Sequence, residues 1–310
     1  MNLISFDQYC QAVRLANVNF ILTRREEAPW WLEYVPVTSL ILQFGGDGGA
    51  SVVEGTVTVE SYLLLVRYRP SSACITINGE EVLEDECILL TPGGRFVISA
   101  DGPRSWLSLT IPRPVVEIAW SSSRKLQRRI EEGQACIVPA AADQQATLLN
   151  LATALLEASR SGPGAVDTRN SEEKLLETAR WILSGDGVER RASPEFRRAN
   201  EIVAVALSSV AHLDFVDSLY VDDLARVADV NSRTLLRAFN RVVGMGPVRY
   251  LRFRQLNAVR RKLNEASIPT VTAGLQLAGV ADMGRFSGLY KGLFGEAPSE
   301  TLRTAKARRC

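Results

Sequence analysis

The strongest constraint on the fold is a repeat in the last third of the chain, where residues recur at an offset of 51 positions. Leu235 recurs as Phe286, Phe239 as Tyr290, and Gly244 as Gly295. The other matching pairs are Leu224 and Leu275, Val242 and Leu293, Val243 and Phe294, Pro247 and Pro298, and Leu251–Arg252 and Leu302–Arg303. A duplication of this length predicts two copies of one small folding unit.

Each copy has the layout of a helix-turn-helix. A short amphipathic segment is followed by a polar residue, Asn231 or Asp282, and then by apolar residues at positions i, i+3, i+4, i+7 and i+8. These residues are Leu235, Ala238, Phe239, Val242 and Val243 in the first copy, and Phe286, Leu289, Tyr290, Leu293 and Phe294 in the second. This spacing predicts one buried stripe of a helix, with an N-cap before it and a glycine stop after it. We therefore predict two helix-turn-helix units, at about 221–244 and 272–295.

The charge of the chain is divided unevenly between its two ends. Residues 215–310 contain sixteen Lys or Arg and eight Asp or Glu, which gives a net charge of +8. Residues 1–214 carry a net charge of −7, so the near-neutral total conceals a basic end. A basic domain suits a polyanionic partner, because each neutralised phosphate releases counterions. The sequence therefore predicts that the duplicated region binds double-stranded DNA.

A third helix is predicted between the two copies, from Pro247 to about Ala266, with proline at its first position. Its apolar residues recur at helical spacing, and we expect its other side to be basic: Arg249, Arg252, Arg254, Arg260, Arg261 and Lys262. At 1.5 Å per residue such a helix is about 28 Å long, while major grooves on one face of DNA recur about every 34 Å. One chain is thus expected to read a site of about two turns.

Helical phase predicts which residues of the first copy face DNA. The residues on the outward side are Ser232, Arg233, Leu236, Arg237, Asn240 and Arg241. Arg233 and Arg237 lie in the amino-terminal half, which enters the groove in this motif, and arginine matches guanine O6 and N7. We assign Leu236 to a thymine methyl group, and Asn240 and Arg241 to phosphates. The alternative is a merely solvated polar face.

In the second copy the matching positions of the three arginines are glycines: Gly284, Gly288 and Gly292. Met283, Arg285 and Lys291 remain as candidate DNA contacts. Two interpretations stay open. The three glycines either allow DNA or another protein to approach the helix backbone closely, or they reflect loss of base recognition in this copy.

The segments VDDLARVADVNSRTLLRAFNRVVGMGPVRYLRFRQLNAVRRKL and VTAGLQLAGVADMGRFSGLYKGLFGEAPSETLR resemble the paired helix-turn-helix domain of AraC/XylS-type transcription regulators, and GRFSGLYKGLFGEAPSETLR is closest to the XylS-like branch. The resemblance covers roughly residues 195–305. It implies a bacterial regulator, taken as an activator, with an amino-terminal sensing or dimerisation domain, and RNA polymerase as a further partner. The chain departs from the family pattern at Gly279–Val280 and at Ala273–Gly274–Leu275.

The preceding residues predict an α+β domain at 1–186, a linker at 187–193, and the DNA-binding domain at 194–310. After a helix at 5–17, short strands rich in branched residues are predicted at 37–44, 51–59, 62–68, 73–77, 87–91, 95–99 and 106–111. Asn78-Gly79 indicates a tight hairpin. Such strands favour a sandwich or barrel, and the family resemblance implies a cupin-like barrel. Helices at 143–159 and 171–183 follow, and either they hold a homodimer or they only cap the barrel. A helix at 195–212 is assigned to the DNA-binding domain.

Several function classes are disfavoured by the sequence. A secretory signal and a membrane span are not evident, which predicts a cytoplasmic protein without membrane contact. His212 is the only histidine, and we expect it at a helix end, with no metal site and no cofactor. An enzyme of cupin type with a DNA-localising tail remains an alternative, as does an architectural DNA-binding protein without a ligand. Candidates to hold a small-molecule effector are Arg24, Arg25, Arg67, Arg69 and Arg95 for a carboxylate, and Trp30 or Trp31 for an aromatic ring.

Overall fold

The computed structural model describes residues 3–13, 16–119, 135–162, 168–184, 193–210 and 221–308. The chain divides into two compact units. The first consists of Met1–Asn19, Ala28–Gly48 and Val53–Arg191, and the second of Phe20–Glu27, Gly49–Val52 and Ala192–Cys310. Within the described ranges, no helix is long and apolar enough to cross a membrane. His212 and most of the predicted linker at 187–193 lie outside the described residues.

The first part of the chain is built from short strands, followed by helices. The strands are β1 Leu3–Ile4, β2 Ala16–Arg25, β3 Trp30–Val37, β4 Leu40–Asp47, β5 Gly49–Val57, β6 Ser61–Arg69, β7 Ile75–Ile77, β8 Glu80–Glu81, β9 Glu86–Leu90, β10 Arg95–Ala100, β11 Arg104–Pro112 and β12 Cys136–Pro139. The helices are α1 Phe6–Ala12, α2 Arg113–Ala119, α3 Ala142–Arg160 and α4 Thr168–Ser184.

The strands form two separate sheets. The larger sheet has the order β1-β3-β4-β11-β6-β9-β12, and the smaller sheet has the order β2-β5-β10-β7-β8. The prediction of a closed barrel is therefore wrong, because the two sheets do not join. Two of their edges, β1 and β8, are two-residue strands, which offer few backbone groups for pairing with another sheet.

The sequence located the later strands better than the earlier ones. The helix predicted at 5–17 ends at Ala12, and the chain becomes strand β2 from Ala16. Strands β1, β2, β3, β8 and β12 were not predicted, and β1 and β8 have only two residues each. The Asn78-Gly79 hairpin is confirmed: both residues have positive φ, 52° and 84°, and Ile77 lies opposite Glu80.

Helices α3 and α4 cover one face of the larger sheet. Alternate residues of the central strands, such as Leu42, Leu64 and Leu109, form one buried cluster with Leu148 and Leu175 of the helices. This alternation is the period-2 pattern expected of strands that pack against a core. The helices predicted at 143–159 and 171–183 are thus packed on the sheet.

A buried polar network fastens α1 to the larger sheet. Tyr9 donates its hydroxyl to Asp47, whose other carboxylate oxygen lies 2.7 Å from Arg104 Nε. Trp106 Nε1 lies 3.1 Å from Asp47 Oδ1. Burial, followed by the Asp47 carboxylate, raises the pKa of Tyr9 well above its ordinary value, so the hydroxyl remains a donor. The buried carboxylate is thereby fully hydrogen-bonded.

The second unit contains seven helices among the described residues, and they follow the duplicated layout. They are α5 Pro194–Val210, α6 Val221–Val227, α7 Ser232–Val242, α8 Pro247–Asn264, α9 Val271–Leu277, α10 Met283–Phe294 and α11 Pro298–Ala307. Helix α5 packs against α6 and α7, while α8 packs against α7, α9 and α11. The α6–α7 and α9–α10 pairs are the two predicted helix-turn-helix units.

The offset between the copies is 50 in the first helix of each unit and 51 in the second. In the two turns, Val230 N donates to Ala225 O and Val280 N donates to Leu275 O, each at 2.9 Å. Ala281 is therefore an extra residue between the second turn and its cap. The pairing of Leu224 with Leu275 was wrong, because the structural counterpart of Leu224 is Gly274. That position has no room for a large side chain, since a Cβ there would lie 2.3 Å from Ile268 Cδ1.

Candidate nucleic-acid interface

Helix α7, the predicted recognition helix of the first copy, is fixed at both ends and along its buried face. Asn231 Oδ1 accepts a hydrogen bond from Thr234 N at 2.8 Å, which satisfies one free backbone donor. After the helix ends at Val242, Gly244 has φ +78°, a left-handed conformation suited to glycine. The fully buried Phe239 ring lies 5.6 Å from the Tyr250 ring of α8. The outward side chains are thus presented on a rigid support.

Arg233 and Arg237 are exposed on the amino-terminal half of α7. Neither guanidinium group forms an ion pair or a hydrogen bond with another residue among those that the structure describes. Leu236 lies beside them with 44% of its surface exposed, and Asn240 is also exposed. Two unengaged cations flanking an exposed apolar side chain form a surface that can donate hydrogen bonds to base edges and contact a methyl group.

Two of the predicted DNA contacts already have partners within the unit. Ser232 Oγ donates to Asp222 Oδ1 at 2.8 Å and so ties α7 to α6. Arg241 Nη1 lies 2.7 Å from Glu195 Oε1, and its guanidinium lies 4.7 Å from the centre of the Phe196 ring. Arg241 is therefore engaged with α5, and a phosphate would have to compete with an exposed carboxylate for it.

Helix α10, the corresponding helix of the second copy, is well packed on its buried side and has few side chains on its outward side. Asp282 caps it by accepting from Arg285 N at 2.9 Å, and Gly295 ends it with φ +78°. Tyr290 is fully buried, its ring lies 4.6 Å from that of Phe294, and its hydroxyl lies 3.0 Å from Thr301 Oγ1. These contacts hold a helix that contains three glycines.

The outward face of α10 is as open as the sequence predicts. A Cβ added at Gly288 or Gly292 would meet no atom within 4 Å. Arg285 and Lys291 are exposed, and Met283 is half-buried. One member of the predicted buried stripe is misplaced: Leu289 is 40% exposed. Among the described helices, α5 packs against α7 in the first copy, whereas α10 packs mainly against α11.

Comparison with known proteins agrees with this geometry. The family model described as a helix-turn-helix domain matches residues 224–304, which span most of both units. The XylDLEGF operon transcriptional activator of Pseudomonas putida is 30% identical over 139 residues, which are 43% of this chain and 39% of that protein. The XylDLEGF operon transcriptional activator 2 of the same organism is 30% identical over 137 residues, which are 44% of this chain and 82% of that protein.

This chain belongs to the AraC/XylS family. Among solved structures, the AraC-like transcriptional activator CuxR is similar at 13% identity with a TM-score of 0.41, over 78% of this chain and 85% of that one. The chain spans only about two fifths of the length of the first of these curated relatives.

The connecting helix of this AraC/XylS-family chain corrects one sequence prediction. Arg254 and Arg260 were expected on the outward basic side, but Arg254 is 4% exposed and donates to Val210 O at 2.7 Å. Arg260 pairs with Glu296 at 3.0 Å and lies 4.6 Å from the centre of the Phe294 ring. The sequence did not reveal the burial of these arginines, because the buried face of α8 extends beyond its apolar residues and includes Arg254.

Three of the five arginines predicted to hold an effector contact other protein groups. Arg24 pairs with Glu26, Arg69 lies over the Tyr68 ring, and Arg67 donates to the carbonyls of Ala73 and Val82. Trp31 is buried against Gly46, where a Cβ would lie 1.9 Å from its Nε1. Trp30 packs against Phe6 and Tyr9. Both tryptophan rings are therefore in contact with protein groups, and their predicted stacking on an effector stays a prediction.

Proposed function

We propose that this protein is a sequence-specific, DNA-binding transcription regulator, and that it acts as an activator. The observation that carries the proposal is the pair of exposed, unengaged guanidinium groups of Arg233 and Arg237 on a helix capped by Asn231. We assign base recognition to Arg233, Leu236 and Arg237. The supporting contacts to phosphate and sugar are assigned to Ser232, Asn240 and Arg241. In the second copy we assign charged contacts to Arg285 and Lys291, and an apolar contact to Met283.

The proposed operator extends over about two turns of DNA per chain. Helix α8 has 18 residues and is therefore about 27 Å long. It packs against α7 at one end and against α9 and α11 of the other copy. A rigid spacer somewhat shorter than the distance of about 34 Å between successive grooves suits two recognition helices placed on the same face of the duplex.

The rest of the proposal concerns residues 1–186, for which we propose a cupin-like sensing and dimerisation domain, joined by a linker at 187–193 to the DNA-binding domain at 194–310. In this arrangement a small molecule bound by the sheets controls a homodimer in the cytoplasm, and RNA polymerase is the further partner. We propose no catalytic role, metal or cofactor.

Selection of binding sites from a randomised DNA library by the purified full-length chain tests the proposal. We expect a site with a sharply defined element of a few base pairs and a second, weakly defined element about one turn away. Binding to this site should exceed binding to unrelated DNA by about 10³-fold or more at physiological salt. Uniform binding to all sequences would instead identify an architectural DNA-binding protein.

A further inference from the structure

The connection between α7 and α8 runs beside the outward side of α7. Helix α8 begins at Pro247, and Gly246 is the residue that caps it. A Cβ built on Gly246 would lie 2.9 Å from Leu236 Cδ1 and 3.8 Å from Asn240 Oδ1. Leu236 and Asn240 are both outward residues of α7, so the cap of α8 lies against the surface to which we assign contacts with DNA.

The backbone conformation of Gly246 does not require a glycine. Its φ of −69° and ψ of 156° lie in the extended region that is open to residues with side chains, and they are typical of an N-cap. Asparagine, aspartate and serine stabilise an N-cap most, because their side chains accept a hydrogen bond from a free backbone donor. A glycine cannot provide this hydrogen bond, so capping does not require a glycine here either.

The requirement comes from the space that Leu236 occupies. Two carbon atoms pack best at a separation of about 3.5–4.0 Å, so a Cβ on residue 246 at 2.9 Å would displace Leu236 Cδ1. This atom is the free end of a flexible, exposed side chain, and rotation of that side chain would relieve the clash without a shift of the backbone. A larger residue in place of Gly246 would therefore change the direction of the Leu236 side chain and leave the fold intact.

The second copy has the opposite combination at the same two positions. The cap of α11 is Ala297, with φ −76° and ψ 154°, so alanine fits the backbone conformation that Gly246 adopts. The residue that matches Leu236 is Ser287, a short residue whose hydroxyl donates to Met283 O at 2.8 Å. A long apolar side chain thus occurs with a glycine cap, and a short polar side chain occurs with an alanine cap.

We propose that Gly246 is a positioning residue for base recognition by the first copy. By leaving room for Leu236 Cδ1, Gly246 keeps the leucine side chain in the orientation in which it contacts the methyl group of one thymine. Leu236 contacts the base, and Gly246 acts only through Leu236. The inference rests on the proposed function, because it specifies how one base of the operator is distinguished.

Replacement of thymine by deoxyuridine removes only the methyl group that Leu236 is proposed to contact. The operator selected with the full-length chain is therefore remade with each thymine of its sharply defined element replaced in turn. We expect one replacement to weaken binding of the unaltered protein about fourfold, the value of one buried methyl group. For the Leu236→Ala and Gly246→Ala proteins the same replacement should change the affinity by less than about twofold.

Ala297→Gly is the matched control, because it makes the reverse change at the cap of α11, and it should leave the effect of deoxyuridine unchanged. In a Leu236→Ala background, Gly246→Ala should cause no further loss of affinity, since both changes act through one side chain. The unfolding temperature of Gly246→Ala should change by less than about 3 °C. A further loss of affinity in the double variant, or an unchanged deoxyuridine effect in Gly246→Ala, would overturn the inference.

Methyl NMR spectra of the free full-length protein, with its leucine methyl groups labelled, test the contact without DNA. The Leu236 signals are identified by their loss in Leu236→Ala, and they should shift in Gly246→Ala but not in Ala297→Gly. If they shift and no DNA sequence is preferred, the proposed function fails together with the thymine contact, and only the packing of Leu236 on Gly246 stands. If a sharply defined operator is selected but no thymine in it responds to replacement, or the Leu236 signals do not move, this inference fails and the proposed regulator stands.

Discussion

The two helix-turn-helix copies have the same caps and stops but reach their stability and their surface chemistry by different routes. Helix α7 has no glycine, carries Arg233 and Arg237 on its outward side, and is covered by α5. Helix α10 has glycine at three outward positions and compensates with a buried aromatic cluster around Tyr290. The caps and buried residues that hold a recognition helix in place are therefore more alike in the two copies than the residues on its outward side.

The largest expected effect concerns the buried residues that stabilise α10. Tyr290→Ala should destabilise the second copy by about 3–5 kcal/mol, because it removes both the aromatic contacts and the hydrogen bond to Thr301. Each glycine in α10 already costs about 1 kcal/mol relative to alanine, so the helix has little margin. Native-state hydrogen exchange should show loss of protection in Met283–Phe294 and retained protection in Ser232–Val242.

The neighbouring exposed residue provides the control for that change. Leu289→Ala in the same helix should alter protection only slightly, since Leu289 is 40% exposed. Equal loss of protection in both copies after Tyr290→Ala would show that the copies unfold as one unit, and the proposed division of stability between them would be wrong.

The second largest expected effect is on DNA binding and concerns the outward residues that differ between α7 and α10. Arg237→Ala should weaken binding to the selected operator by about 1–3 kcal/mol and relax the preference at one base position. Arg285→Ala should cost less discrimination, because the second copy has lost the arginines that match Arg233 and Arg237. Competition binding on a randomised operator measures both quantities. A site selection with equally sharp elements for both copies would refute the asymmetry.

A substitution that adds one methyl group distinguishes the two interpretations of the outward glycines of α10. Gly288→Ala should stabilise the protein by about 1 kcal/mol, since the added Cβ meets no atom within 4 Å, and we expect unchanged operator affinity. Gly244→Ala is the matched control: its site is also open, but its φ of +78° makes alanine unfavourable by about 1 kcal/mol. Thermal unfolding and operator binding of both variants are compared. Weaker operator binding by a stabilised Gly288→Ala protein would favour close approach of DNA or protein instead.

The smallest effect concerns the contact between α5 and α7. Glu195→Ala should change stability by less than about 0.5 kcal/mol, because the Arg241–Glu195 pair is exposed to solvent. It should strengthen binding to all DNA sequences slightly by releasing Arg241, whereas Arg241→Ala should weaken all of them about equally. Titrations at two salt concentrations measure this. A change in base preference in either variant would assign Arg241 to a base and not to phosphate.

The sequence alone determined where the helices of the duplicated part of the chain lie. Caps, glycine stops and apolar spacing are local properties, so both recognition helices and their outward residues could be placed from spacing alone. The same rules located the Asn78-Gly79 hairpin and the helices α3 and α4. These local rules predict where each helix or hairpin lies in the chain and which of its sides is buried.

Tertiary structure decided what depends on neighbours that are distant in sequence. The extra Ala281 and the fit of Gly274 beside Ile268 became visible only when the turns were compared in space. Leu289 is exposed because, among the described helices, α10 packs mainly against α11, whereas α7 also packs against α5. Arg254 is buried and donates to the Val210 carbonyl. The separation into two sheets likewise depends on strand pairing. Pairing joins residues more than sixty positions apart, such as Gln43 and Ser108, and local spacing contains no information about it.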